Sequence, residues 1–509
     1  VFVNNEQRST TLRGSWLALG GLSAIFLFEM LDNSILNVAL PTIGRDLHAS
    51  TTALQWVTGS YAVVFGGLML LFGAMADRYG RRRVMLIGLV LLGVASLATA
   101  FVTTAEQLIA VRVVMGIAAA MTTPGSMALA YRLFDEESLR VRAITLISTV
   151  GLVGLAIGPT VGGLVLAVAP WQVLLLINVP IALLAIVGIR TGIAADEPGE
   201  LHRDPLDIPG ALLATATIVL ALVAPTMFID QGAASWAPWV VAGSAVLAAA
   251  LFMVRERSAQ HPLLDLGLIA RPLVSSGLAF KAAAGLATAG LGYLVTLQLQ
   301  LAWGWPPALA AVGMLPQVVV LLSLGPFVNP FVERVGINRA AWMSAAAVVI
   351  GLAVYALFNS FGYVFVAIAL ALVAAGLRVI GVVSAIAVLN GLPKNRTSIG
   401  SALTDTTTEV ANGVGIAVAG TILAAVFTGT ITASDWTAQQ GSQFQFAATI
   451  GGLVLTGLAA VFVIFGFVRS RRAETETQPE TETQPETEPE TDTKTEPETD
   501  DTTGAEVAG

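Results

Sequence analysis

Long apolar runs recur along this chain of 509 residues, separated by short polar breaks. A helix needs roughly 20 apolar residues to cross the hydrocarbon core of a bilayer. We read fourteen such runs, near 16 to 38, 52 to 75, 84 to 103, 107 to 130, 141 to 168, 172 to 192, 207 to 227, 237 to 254, 272 to 301, 306 to 330, 340 to 358, 362 to 390, 402 to 428 and 445 to 468. A polypeptide with this pattern has lipid as its main solvent, and only a helical bundle satisfies the backbone there. Composition agrees: 55% of residues are hydrophobic and 12% charged. The first run is expected to be a span rather than a cleavable signal, because it is too long and lacks a convincing cleavage site.

Charge tests the count, because cytoplasmic loops collect Lys and Arg. Arg8 and Arg13 precede the first run; Arg78, Arg81, Arg82 and Arg83 follow the second; Arg132, Arg140 and Arg142 follow the fourth. The alternation continues through Arg190, Arg203, Arg255, Arg257, Arg271, Arg334, Arg339, Lys394, Arg396, Arg469, Arg471 and Arg472, and leaves only Arg45 on the other side. The expectation is an even number of spans in the cell membrane with both termini cytoplasmic. The net charge of -8 conceals two unlike parts, because thirteen acids and one lysine lie beyond Ala473 and leave the remainder mildly basic. That Glu-Thr-Pro tract has too little apolar surface to offset its ordering entropy and is expected to be disordered.

The loop from Gly73 to Arg83 holds Asp77, Arg78, Gly80, Arg81 and Arg83, a charge cluster bounded by glycines that suits a conformational latch. A degenerate copy runs from Asn329 through Glu333, Arg334 and Gly336 to Arg339, between the second and third spans of a later set of six. The chain therefore divides into an N-terminal segment (1–15), a six-helix bundle (16–193), an extra helix pair (194–270), a second six-helix bundle (271–470) and an acidic cytoplasmic tail (471–509). Internal duplication of this kind is how transporters build a midplane binding site.

With these motifs assembled, the sequence resembles the major facilitator superfamily, in particular its 14-helix drug:proton antiporters. The stretch from Leu31 to Pro41, the Gly73 to Arg83 loop, Arg112 to Gly116, and the glycines from Gly151 to Gly163 carry the resemblance, which spans residues 16 to 470. Asp405 to Gly415 looks like the thirteenth helix of QacA-type cation exporters, whereas Gly59 stands where such exporters often have an acid. The resemblance implies an all-α membrane protein that exports amphipathic, cationic compounds in exchange for protons. An exporter dedicated to one metabolite or antibiotic, a proton symporter, and a receptor that does not transport are the alternatives.

Ionisable residues within a span are expensive unless paired or wetted, so they are functional candidates. Glu29 and Asp32 share a face of the first span, with Arg112 of the fourth as the natural cation; a carboxylate there exchanges its proton as water and the cation come and go. Asp405 and Glu409 share a face of the thirteenth and are candidates for substrate binding, with Phe28, Trp56 and Tyr61 as candidate cavity aromatics. Asp405 is alternatively a helix-start acid. Lys281 and Arg378 are candidates to neutralise these acids. Gly154, Gly158 and Gly162 recur every fourth residue and, with Pro159 and Gly163, form a candidate gating surface. His48, His202 and His261 lack ligand spacing, so no metal site is expected. Neither cofactor nor nucleic-acid partner is expected, and no catalytic constellation is visible; the partners are the bilayer, small-molecule substrates and protons, and the protein is expected to be monomeric.

Overall fold

The structure is a computed structural model and describes residues 14–134, 136–196, 207–260, 262, 266–392, 397–433 and 436–477. Every regular element within them is helical. Twelve helices are long and apolar enough to cross a membrane, and the number rises to 14 when each of two bent pairs is taken as one span. In chain order these are α1 (Trp16–Asp46), α2 (Thr51–Tyr79), α3 (Arg81–Phe101), α4 (Ala105–Arg132), α5 (Glu137–Leu166), α6 (Gln172–Gly192), α7 (Ile208–Gln231) and α8 (Trp236–Ser258). They continue as α9 (Pro272–Ala302), α10 (Pro307–Gly313, Leu315–Ser323 and Gly325–Val335), α11 (Ile337–Phe361), α12 (Tyr363–Asn390), α13 (Thr397–Val426) and α14 (Ala438–Thr477).

Local chemistry sets several of these starts. Ser50, Thr104 and Asp207 each accept a hydrogen bond from the backbone N–H three residues on, at 3.1, 3.3 and 3.1 Å, which satisfies a donor that the first helical turn leaves open. Two ends differ from expectation. α1 continues past residue 38 to Asp46, whose carboxylate accepts from Trp171 Nε1 at 2.7 Å. α14 runs past the expected tail boundary at 471 to Thr477. Residues 478–509 of the expected disordered tail, residues 1–13, the loop 197–206, and His261 lie outside the described residues.

The same packing pattern recurs in the two sets of six helices. α1 packs on α5 and α6, α4 on α2 and α3, and α3 on α6; in the second half α9 packs on α13 and α14, α12 on α10 and α11, and α11 on α14. The two halves meet through α2 with α13 and α5 with α10, so each half offers the same two elements to the other. The second span of each half is bent, by 49° in α2 and 61° in α10. Each is followed by a left-handed glycine, Gly80 at φ 103° and Gly336 at φ 83°.

Among the described residues, the side-chain hydrogen bonds between the halves lie at the end opposite these two glycine turns. Gln55 Nε2 donates to Thr421 Oγ1 at 3.3 Å, Gln300 Nε2 donates to the Val38 carbonyl at 2.7 Å, and Gly163 lies against Pro307 and Ala311. The inserted α7 lies along the α2–α13 seam, where Thr215 Oγ1 donates to the Gly67 carbonyl at 2.8 Å, and α8 packs on α7.

Candidate functional site

Four helices of the first half converge on one buried ion pair. Arg112 of α4 donates from Nη1 to Asp32 Oδ2 of α1 at 2.5 Å, and from Nε to the Val57 carbonyl of α2 at 3.2 Å. The other carboxylate oxygen, Asp32 Oδ1, accepts from Asn178 Nδ2 of α6 at 2.9 Å. The Tyr61 ring of α2 lies 4.4 Å from the guanidinium carbon, a cation–π contact. Arg112 and Asp32 are 1% and 2% exposed, so each is a charge taken out of water and held by its partner. Because α1 is 31 residues long and rises roughly 1.5 Å per residue, Asp32 sits near its middle.

Glu29, one turn earlier on α1, has its own support: Thr123 Oγ1 of α4 donates to Glu29 Oε2 at 2.9 Å. Asp32 and Glu29 therefore share a helix face but not a partner. Asn178 is not singled out by the sequence, since one neutral polar residue within the apolar run 172–192 does not interrupt it. Tyr61 was expected to line a cavity; it is instead buried against Arg112, with its hydroxyl lacking a hydrogen-bond partner. Phe28 is buried in the helix core, and Trp56 packs with Val63, Leu222 and Ala417 where α2, α7 and α13 meet.

The second half brings its acids to the midline. α13 begins at Thr397, so Asp405 lies beyond the first two turns and is not a helix-start acid. Glu409 is 5% exposed; its Oε1 accepts from Asn412 Nδ2 at 3.2 Å, while Oε2 is buried with no hydrogen-bond partner. Its Cβ lies against Gly66 of α2, directly at the seam between the halves. Lys281 of α9 is in electrostatic reach of both Asp405 and Glu409, and Glu29 is in reach of the same two acids from the first half. Arg378 lies against Gly325 of α10. The structure therefore gathers Glu29, Asp405, Glu409 and Lys281 around one midline region, with the Asp32–Arg112 pair beside it.

The expected gating glycines face mainly inward to their own half. Gly154 lies against Leu27 and Leu31, Gly158 against Ser34, and Gly162 against Ile35, all on α1, and only Gly163 reaches across to α10. A Cβ on Gly158 would lie 2.6 Å from Ser34 Cβ, so glycine is required for this approach. Ser34 Oγ then donates to the Leu155 carbonyl at 2.8 Å, and Pro159 is buried.

At the end carrying the glycine turns, Asp77 Oδ1 accepts from Arg81 Nε at 2.8 Å and pairs with Arg81 Nη2 at 2.7 Å. Asp196, just beyond α6, accepts from the Arg82 backbone N–H at 3.0 Å, and Arg82 Nη2 donates to the Arg190 carbonyl at 2.7 Å. Gly73 lies against Pro124 of α4, Arg78 beside the Tyr79 ring, and Arg83 is exposed. The charge motif is thus clamped to α6 by Asp196, a residue whose position in a polar loop gave no sign of this role.

Comparison with known proteins fits this geometry. The profile of the Major Facilitator Superfamily matches residues 22–207. The multidrug efflux pump LfrA of Mycolicibacterium smegmatis is 31% identical over 419 residues, which covers 81% of this chain and 82% of LfrA. The methyl viologen resistance protein SmvA of Salmonella typhimurium is 32% identical over 326 residues, 64% of this chain, and the match spans 66% of the length of SmvA. Among solved structures, a bacterial homologue of the human lysosomal transporter Spinster, inward-facing and unoccupied, has a TM-score of 0.66 at 17% identity and covers 93% of this chain and 100% of its own. The chain spans just under two thirds of the length of SmvA, and it belongs to the major facilitator superfamily.

Proposed function

We propose that this protein exports amphipathic, cationic compounds by alternating access, with proton entry as the driving force and the Gly80 end facing the cytoplasm. The observation that carries the reading is the placement of the buried charges. A carboxylate–guanidinium pair, Asp32 with Arg112, is locked among four helices of one half, while Glu409 of the other half keeps one carboxylate oxygen unpartnered at the seam. A cation entering the midline would pair with Glu409 and Asp405 and so compete with protons for the same buried carboxylates. Competition of this kind couples the two ligands. The names of the relatives, a multidrug efflux pump and a methyl viologen resistance protein, support the same substrate class.

The positive-inside pattern of the loops supports the orientation. Bridging contacts at the end away from Gly80, namely Gln55–Thr421 and Gln300–Val38, fit a carrier closed towards the outside and poised to load from within. The test is transport in proteoliposomes with methyl viologen and ethidium as probes. The expected result is accumulation in the lumen against a substrate gradient that appears when an outward proton gradient (acidic lumen) is imposed and vanishes when it is collapsed. Accumulation indifferent to the proton gradient would refute the coupling, and absence of counterflow for cationic and neutral probes alike would refute export.

A further inference from the structure

A groove of about 630 Å³ opens between α11 and α14, well away from the midline acids. It is lined by Asn338, Arg339, Trp342, Ala346, Val463, Ile464, Phe467, Ser470 and Arg471. The lining is divided along the helix axes. Arg339 in the first turn of α11 and Arg471 near the end of α14 lie at the end of the bundle that carries Gly336, whereas Ala346, Val463 and Ile464 lie one to two turns deeper, in the apolar stretches of the same helices. Trp342 and Phe467 mark the boundary, edge to face at 6.1 Å, and the Arg471 guanidinium lies 5.1 Å from the Phe467 ring. Arg339 and Arg471 are exposed, as are Ile464 and Trp342, so the groove opens sideways to lipid as well as outward to water.

Two arginines above an apolar slot match one class of molecule. A soluble anion satisfies the arginines and leaves the slot uncovered, while a zwitterionic lipid fills the slot but brings its own cation to the arginines. We infer that this groove is a binding site for an anionic phospholipid, with the phosphate between Arg339 and Arg471 and the upper acyl chain along Ala346, Val463 and Ile464. Aromatic rings at headgroup depth and basic pockets between helices are the physical features that recognise such lipids. The site joins the third and sixth spans of the second half, so an occupied groove ties α11 to α14.

The test is native mass spectrometry of the full chain, delipidated and then titrated with phosphatidylglycerol, cardiolipin or phosphatidylcholine. With about 1 kcal/mol per arginine near an anionic headgroup, two arginines give an expected preference for the anionic lipids of about thirtyfold, equivalent to about 2 kcal/mol. Arg339→Gln combined with Arg471→Gln should erase the preference, whereas Arg142→Gln, an exposed arginine at the start of α5, should keep it. Ala346→Phe fills the apolar slot and keeps both arginines, so it should weaken retention of all diacyl lipids without changing the elution volume of the protein. The inference is overturned if the double arginine variant retains the wild-type preference, or if inorganic phosphate displaces the lipid at equal concentration. It is also overturned if removing residues 478–509 is needed before any anionic lipid binds, since that result makes the acidic segment the occupant.

Discussion

Arg112 Nη1 and Asp32 Oδ2 lie 2.5 Å apart, both nearly inaccessible to water, and this pair sets the first prediction. Asparagine at position 32 keeps the size of the side chain but can neither ionise nor release a proton. In Asp32→Asn, gradient-driven export should fall at least about tenfold while substrate still binds. Removing the charge also leaves Arg112 buried without its counter-ion, which typically costs about 3–5 kcal/mol, so the variant should melt at a lower temperature in detergent. The deciding measurement is proton release when substrate is added to solubilised protein. Equal release from wild type and variant would remove Asp32 from the proton path.

Asn178 supplies the second prediction because it holds the other oxygen of Asp32 at 2.9 Å. A hydrogen bond to a charged group contributes about 1.5–3 kcal/mol. Asn178→Ala should lower stability by that order and leave the Arg112 pair in place, so transport should persist at reduced turnover with unchanged substrate affinity. Scanning calorimetry alongside transport kinetics checks both halves. A variant as stable as wild type would mean that this hydrogen bond contributes nothing.

Glu409 presents an unpartnered oxygen at the seam between the halves, and a cationic substrate is its natural complement. Glu409→Gln should weaken binding of methyl viologen or ethidium by about tenfold, or about 1.4 kcal/mol, while a neutral substrate of similar size changes little. Binding titrations with a cationic and a neutral ligand separate these outcomes. Equal weakening of both would make Glu409 a structural residue.

Much of this architecture is legible from residues alone because lipid imposes a strict rule: each span must be long and apolar, and each stray charge must be matched. That rule locates the fourteen runs and selects Asp32 and Arg112, which the fold places in contact. It says less about neutral polar partners. Asn178 and Thr123 complete the two acidic sites, yet neither breaks the apolar pattern enough to be singled out. Aromatic residues are equally ambiguous, because Tyr61, Trp56 and Phe28 look alike in a lipid-compatible sequence, although one covers an arginine, one packs at the α7 seam and one fills the core. Asp405 illustrates a boundary effect: moving the helix start from 402 to Thr397 converts a plausible N-terminal acid into an interior one.

The two glycine turns provide the last prediction, because the duplicated motif places them in different surroundings. Gly80 and Gly336 both adopt positive φ with extended ψ, at 103° and 123° and at 83° and 150°, a region that side chains with a Cβ occupy only under strain of about 1–3 kcal/mol. Alanine therefore strains either turn. At Gly80 the new Cβ would also lie 2.8 Å from Asp196 Oδ2, whereas at Gly336 nothing lies within 4 Å. Asp196 is the acceptor that ties the Arg82 backbone to the end of α6, so Gly80→Ala should loosen the clamp as well as strain the turn. Turnover should fall severalfold more in Gly80→Ala than in Gly336→Ala, with equilibrium substrate binding nearly equal in both, since neither turn touches the midline acids. Asp77→Asn, which removes the charge paired with Arg81, should resemble Gly80→Ala in this split between turnover and affinity. Single-turnover transport set beside binding titrations reads the difference. Matching losses in Gly80→Ala and Gly336→Ala would show that turn strain alone governs the cycle and that the Asp196 clamp has no part in it.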